Sequence, residues 1–368
     1  MLVIRQYLAF YVNITLKLNN NFPVQLFYGI FAKRKKIRIM TIRTFEAFAG
    51  YGSQMMALKR LENDYPEVHF EAVGISEIDP NPIKAYKAVH GDIPNYGDIS
   101  KIDWNEVPDF DLFTYTWPCQ DVSSSGYQKG FAEGSGTRSG LLLECTKAII
   151  AKKPKYLLME NVKALCSKKF MPDFQKWLDF LSEQGYSNKW QVLNSKKYGI
   201  PQNRERTFCV SILDDDTYQF PEPFELKKHI KDILENPLDP DSFYNKDYLQ
   251  NLHWFDNSGK TYKNDSIIKL GNMFPSNHQS GTIYDINGCC GTIMLHHGTG
   301  TLVAIPDNNG GYKVKKLSTR EMFRGMGVSD EDIDKMISAV GKTAAWKLAG
   351  NSIVVDTLYH IFKTMFVK

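Results

Sequence analysis

The chain turns on Thr44-Phe45-Glu46-Ala47-Phe48-Ala49-Gly50-Tyr51-Gly52. Residues 44–49 are mostly apolar and read as a strand. Gly50 and Gly52 make a turn, and Met55, Leu58 and Leu61 come next at helical spacing. A strand, a glycine turn and a helix in that order open an α/β fold. The glycines let a ligand approach the backbone, and the helix N-terminus offers free N–H groups. Taken alone, the element is as readily a plain turn. Working outward, the alternation continues to about residue 211. Strands are expected at 71–76, 111–116, 155–159, 191–194 and 207–212, with a short one near Asn95-Tyr96. Helices are expected at 82–90, 141–151 and 174–184. Such alternation predicts a parallel sheet covered by helices on both faces.

Chemistry gathers where these strands end. The second strand runs into Glu77-Ile78-Asp79, and Gly97-Asp98-Ile99 comes after the third. An acid at the end of the second strand can hold ribose hydroxyls in the crevice beyond the sheet edge. No Gly-Lys-Ser/Thr comes after the glycine turn, which disfavours a triphosphate. The strand at 111–116 leads into Trp117-Pro118-Cys119-Gln120 and a small, polar loop, Ser123-Ser124-Ser125-Gly126. A thiol between a strand end and such a loop is placed like a nucleophile. The next strand ends in Glu160-Asn161-Val162, putting a carboxyl on the same edge, where apolar surroundings would raise its pKa. Gln202-Asn203-Arg204-Glu205-Arg206 sets two arginines at i and i+2, on one side if the segment is extended. Either they clamp a phosphate or carboxylate, or they are paired surface residues. Ser318-Thr319-Arg320-Glu321 reads as a capped helix start. Gly350-Asn351-Ser352 reads as the opening of a final helix over 352–366.

Length and composition bound the rest. The 368 residues suit two domains, and the net charge is +4. Seven of the 45 basic residues lie in residues 1–40 with no acid, leaving 38 against 41. Binding to nucleic acid would therefore need local clustering of charge. The six cysteines show no zinc spacing, and those other than Cys119 are expected to be reduced, buried thiols of a cytoplasmic protein. No stretch is long and apolar enough for a membrane span. Residues 1–39 differ in character from the remainder of the chain and are expected to be a non-native or disordered extension, with Met40 the natural start. From residue 214 the alternation fails, and irregular or short-strand structure is expected.

In order, these segments resemble the cytosine-5 DNA methyltransferase family, of bacterial or phage type. The shared features are a Phe-Ala-Gly-x-Gly loop, Pro-Cys-Gln, Glu-Asn-Val, Gln-x-Arg-x-Arg, an Arg-Glu helix and a closing Gly-Asn-Ser. The resemblance runs from about residue 44 to the C-terminus, apart from 214–280. It implies a Rossmann-like, S-adenosylmethionine-dependent methyltransferase sheet in 41–213 plus 343–368. A smaller, irregular target-recognition domain is implied over 214–342. Cys119 is implied as the nucleophile that adds to C6 of a flipped-out cytosine. Glu160 would engage N3 and the exocyclic amine, with Arg204 and Arg206 orienting substrate and carboxylate. The cofactor would meet Phe48, Gly50, Gly52, Glu77, Ile78, Asp98, Ile99, Pro118, Asn351 and Ser352. Gln120, Ser123 and Arg320 would contact DNA, and the loop 121–136 would close over the extruded base. Three departures stand out. Ser53 succeeds Gly52 where glycine is common, Glu46 replaces aspartate, and Ile78 replaces an aromatic. The resemblance further implies double-stranded DNA as partner, a separate restriction endonuclease, a monomer and a cytoplasmic location. Two readings compete with it: an RNA (tRNA) cytosine-5 methyltransferase of the same fold, and a catalytically silent DNA-binding relative.

Overall fold

The computed structural model describes residues 39–116, 141–244, 252–276, 279–293 and 300–367. The expected N-terminal extension, Pro118, Cys119, Gln120, Ser123 and the loop 121–136 lie outside the described residues.

The first sheet has six strands: β1 (Met40–Ala47), β2 (Val68–Ser76), β3 (Leu112–Tyr115), β4 (Tyr156–Val162), β5 (Tyr186–Asn194) and β6 (Glu205–Leu213). Their order is β2-β1-β3-β4-β6-β5. β1 through β4 are parallel, as the alternation predicts, but β6 runs antiparallel to both β4 and β5. The wholly parallel expectation is corrected here, and the reason is local. No helix long enough to cross the sheet separates β5 from β6, so the chain returns by a short connection, which only antiparallel strands allow. The strand expected at Asn95-Tyr96 reduces to a single bridge between Ile75 and Asn95.

Strand periodicity of two supplies the sheet with two cores. Leu112, Leu158, Phe208 and Val210 face α1 (Ser53–Asp64) and the C-terminal helix. Phe113, Tyr115, Leu157, Met159 and Cys209 face α3 (Leu142–Lys152) and α4 (Met171–Glu183). Between β2 and β3 lies α2 (Pro80–His90), whose first turn Asp79 caps by accepting the Asn81 N–H.

The short-strand region condenses into a second sheet. It holds β7 (His253–Trp254), β8 (Lys269–Asn272), β9 (Thr282–Asp285), β10 (Leu302–Pro306) and β11 (Tyr312–Lys316). The strands keep their sequence order across the sheet. One face joins the main core through Tyr284 and Val303. The other builds a small core from Ile283, Leu302, Ala304 and Val314.

Four helices close the chain: α5 (Thr319–Arg324), α6 (Asp330–Val340), α7 (Lys342–Gly350) and α8 (Val355–Phe366). Ser318 and Glu321 form the expected capping box on α5. The last helix does not open at Gly350-Asn351-Ser352. Gly350 ends α7, Asn351 caps it, and α8 starts at Val355. α8 lies beside α1, with Tyr359 Oη donating to Asp64 at 2.6 Å and Arg60 paired with Asp356 at 3.2 Å.

Candidate active site

The glycine turn, the ends of β2 and β4, and the entry to β6 bring most of the described site residues to one edge of the first sheet. Phe48 and Gly50 adopt positive φ of 55° and 58°, and Gly52 of 82°. A Cβ on Gly52 would collide with the His90 ring and would meet Tyr86 at 2.7 Å, so only glycine fits there. At Gly50 a Cβ would meet nothing within 4 Å, leaving open space over the turn. Glu77 ties this turn to the end of β2. Its Oε2 accepts from the Gly50 N–H at 3.0 Å, and its Oε1 from the Ile78 and Asp79 N–H groups at 2.8 and 2.9 Å. A carboxylate offers about four acceptor positions, so Oε2 keeps one for an incoming hydroxyl. Beside it Ile78 is 70% exposed, an unusual state for a large apolar residue.

Sequence reasoning assigns Asn95 no role, yet it clamps both turns. Its Oδ1 accepts from the Glu77 and Gly97 N–H groups at 3.1 and 3.0 Å, and its Nδ2 donates to the Glu77 carbonyl at 3.0 Å. An asparagine two residues before a glycine is the available signal. Asp98 accepts from the hydroxyl and N–H of Ser100, bonds that hold its carboxyl below the usual range. Ile99 is buried in the core rather than open to the crevice.

Beneath the turn, Glu46 is fully buried and accepts from Tyr86 Oη at 2.8 Å. Burial pushes its carboxyl up to about 7, against the pull of the Tyr86 bond. His90, buried in the same layer, is pushed down to about 3 by desolvation.

Glu160 lies one residue beyond Met159, which pairs with Tyr115 at the end of β3, the strand that leads toward Cys119. Only 8% exposed, it meets Arg206 Nε at 3.2 Å. Val162 is opposite Arg206 and Phe208 opposite Glu160, so this is a diagonal pair across antiparallel strands. Burial raises the Glu160 pKa, while Arg206 and then Arg204 pull it down.

Arg204 does not share the strand face expected for it, because it precedes β6. It is 4% exposed and donates to the carbonyls of Ile293 at 3.1 Å, Gly350 at 3.3 Å and Ser352 at 2.5 Å. It thus fastens the entry of β6 to the loop before α8. Gln202, likewise without a role in the sequence reading, is fully buried; it donates to the Gly325 carbonyl at 2.7 Å and accepts from the Ile293 N–H at 3.0 Å. Arg320, expected at DNA, pairs with Glu235 at 3.4 Å, Asp330 at 3.5 Å and also Asp334. Of the described thiols, Cys145, Cys209, Cys289 and Cys290 are buried and Cys166 half-buried. Burial raises all five, Cys209 to about 12. They are thiols rather than thiolates at neutral pH, hence poor nucleophiles.

A glycine turn fixed by an acid, beside a buried acid–arginine pair, defines a nucleoside-binding α/β enzyme. The family profile for C-5 cytosine-specific DNA methylase matches residues 42–367, and the chain belongs to that family. It is 37% identical to the type II methyltransferase M2.ScrFI of Lactococcus lactis subsp. cremoris, over 88% of this chain and 99% of that protein. With the type II methyltransferase M.HhaI of Haemophilus parahaemolyticus the identity is 30%, over 89% and 95%. Among solved structures, Entamoeba histolytica EhMeth superposes with a TM-score of 0.69 at 16% identity, covering 89% of this chain and 98% of that one.

Proposed function

We propose that this chain transfers a methyl group from S-adenosylmethionine to C5 of a cytosine within a specific duplex DNA sequence. The observation that carries the reading is the buried Glu160–Arg206 pair, on the strand beside the one that leads to Cys119. A family match over nearly the whole chain stands behind it.

The residues around the glycine turn suit the cofactor. Glu77 has an acceptor position left for a ribose hydroxyl, Ile78 offers exposed apolar cover for a base, and the space over Gly50 is open. When bound, S-adenosylmethionine supplies an electrophilic methyl on a sulfonium.

The reacting carbon is closed off inside a base stack, so the cytosine must leave the duplex. The Cys119 thiolate adds to C6, and electron density moves to C5 and toward N3. Glu160, its pKa raised by burial, supplies a proton or a hydrogen bond at N3, and Arg206 holds its orientation. C5 then takes the methyl group, loses its proton to a base, and expels Cys119 by elimination. Residues 41–213 plus 343–368 serve as the catalytic and cofactor-binding part, and 214–342 carry target recognition. The setting we favour is restriction-modification or phage self-protection, with a separate endonuclease as the partner of a monomeric, cytoplasmic enzyme. Among the described residues no helix is long and apolar enough to cross a membrane.

Duplex DNA carrying 5-fluorocytosine tests the reaction, because fluorine at C5 blocks the final elimination. A covalent protein–DNA adduct that needs the cofactor is expected. Tight DNA binding without an adduct would mark a catalytically silent binder.

A further inference from the structure

Ser53 stands where glycine is common in the family, and its hydroxyl has a specific partner. Ser53 Oγ and Ser352 Oγ lie 2.5 Å apart across 299 residues of chain, and both residues are buried. Ser53 is the first residue of α1, directly after the Gly52 turn. The Ser352 carbonyl receives the Arg204 guanidinium at 2.5 Å. Two residues on, Arg206 holds Glu160. The Tyr51 phenol belongs to the same cluster; burial pushes it to about 12, against the pull of the Ser352 and Ser53 hydroxyls. A continuous buried path therefore runs from the glycine turn through two hydroxyls and a guanidinium to the start of β6.

We propose that Ser53 and Ser352 are positioning residues whose hydroxyl clasp couples the glycine turn to the Glu160–Arg206 pair, so that cofactor and target cytosine each strengthen the other's binding. This rests on the methyltransferase reading above. The physical basis is that neither hydroxyl can turn to water. Ser352 Oγ keeps only a long 3.4 Å contact to the Ile353 carbonyl if Ser53 is lost. Ordering the turn around a ligand fixes Ser53, hence the loop at Ser352 and the carbonyl that Arg204 grips. Ordering β6 around a base works back along the same path. Linkage requires the two effects to be equal.

The test uses the full chain and a duplex fragment containing a site that bisulfite sequencing shows the wild type to methylate. DNA affinity is measured with and without S-adenosylhomocysteine, for wild type, Ser53→Gly, Ser352→Ala and the double variant. A thermal melt confirms that each is folded, and Ser53→Ala serves as a second single variant that keeps helix propensity. In the wild type, S-adenosylhomocysteine should tighten DNA binding by on the order of tenfold. In either single variant that ratio should fall to about twofold, with the double variant no lower. A merely structural role would weaken both affinities and leave the ratio unchanged. An unchanged ratio in Ser53→Gly and Ser53→Ala, or independent losses in the double variant, overturns the clasp. A wild type that methylates no site overturns the methyltransferase reading itself, and the clasp with it.

Discussion

The two sheets are held together by different physics. The first has six strands, five of them seven to nine residues long and one of four, with apolar cores on both faces. The second has strands of two to five residues, and its own core contains four buried apolar side chains. Area alone cannot stabilise so small a core. Buried polar contacts fasten it instead. Lys315 of β11 is fully buried and meets Glu321 of α5 at 2.5 Å, while Glu321 also accepts from the N–H groups of Ser318 and Glu235. Asn272 of β8, 1% exposed, accepts from the Phe274 N–H and lies 3.4 Å from the Thr282 hydroxyl. A sheet presenting a site can thus rest on apolar periodicity, whereas a short, variable sheet needs particular partners.

Lys315→Met strikes this contrast hardest. It leaves Glu321 buried without its cation and should cost about 4 kcal/mol in urea unfolding. The Lys315→Met/Glu321→Leu pair should recover part of that loss. A cost near zero for the single change would mean that the second sheet is not pinned by the ion pair.

Glu46 is the counterpart in the first sheet, a buried acid whose hydrogen-bond donor is a neutral phenol. Its folded pKa of about 7 lies above its usual 4.5. The folded state thus binds the proton more tightly, so its contribution is fully present below 4.5 and is lost as pH rises through about 7. The swing amounts to about 3 kcal/mol. His90 works in the opposite sense. Its depressed pKa of about 3, against 6.5, gives stability that is present above 6.5 and lost as pH falls toward 3. Comparing wild type with Glu46→Gln isolates the carboxyl. The variant should gain stability relative to wild type as pH rises from about 5 to about 8, and parallel curves would contradict the assignment.

The smallest effect is expected at Asn272→Ala, about 1–2 kcal/mol, because it leaves the Phe274 N–H without an acceptor. That loss should come with weaker or altered target choice and unchanged cofactor affinity. A change in cofactor affinity alone would erase the division between the two regions.

The same division decides what can be read from the sequence. Residues 44–61 announce strand, turn and helix because their apolar spacing is local, and Glu160 stands out at the end of an apolar strand. The direction of β6 is hidden, since it depends on how a short connection folds back. Arg204 is visible as a residue but not in its role, because its partners, Ile293, Gly350 and Ser352, are brought to it only by folding. The Lys315–Glu321 pair is hidden for a simpler reason. Lysine and glutamate ordinarily stay at the surface, and nothing in the sequence between these two marks them as buried.

Whether Cys119 adds to cytosine in DNA, with Glu160 beside it, is decided by bisulfite sequencing of DNA from cells expressing the wild-type chain or Cys119→Ser. We expect 5-methylcytosine at one recurrent sequence in wild type, and a loss on the order of 10⁴-fold in transfer by the variant. Unmethylated DNA from wild-type cells, or full methylation by Cys119→Ser, would contradict this chemistry.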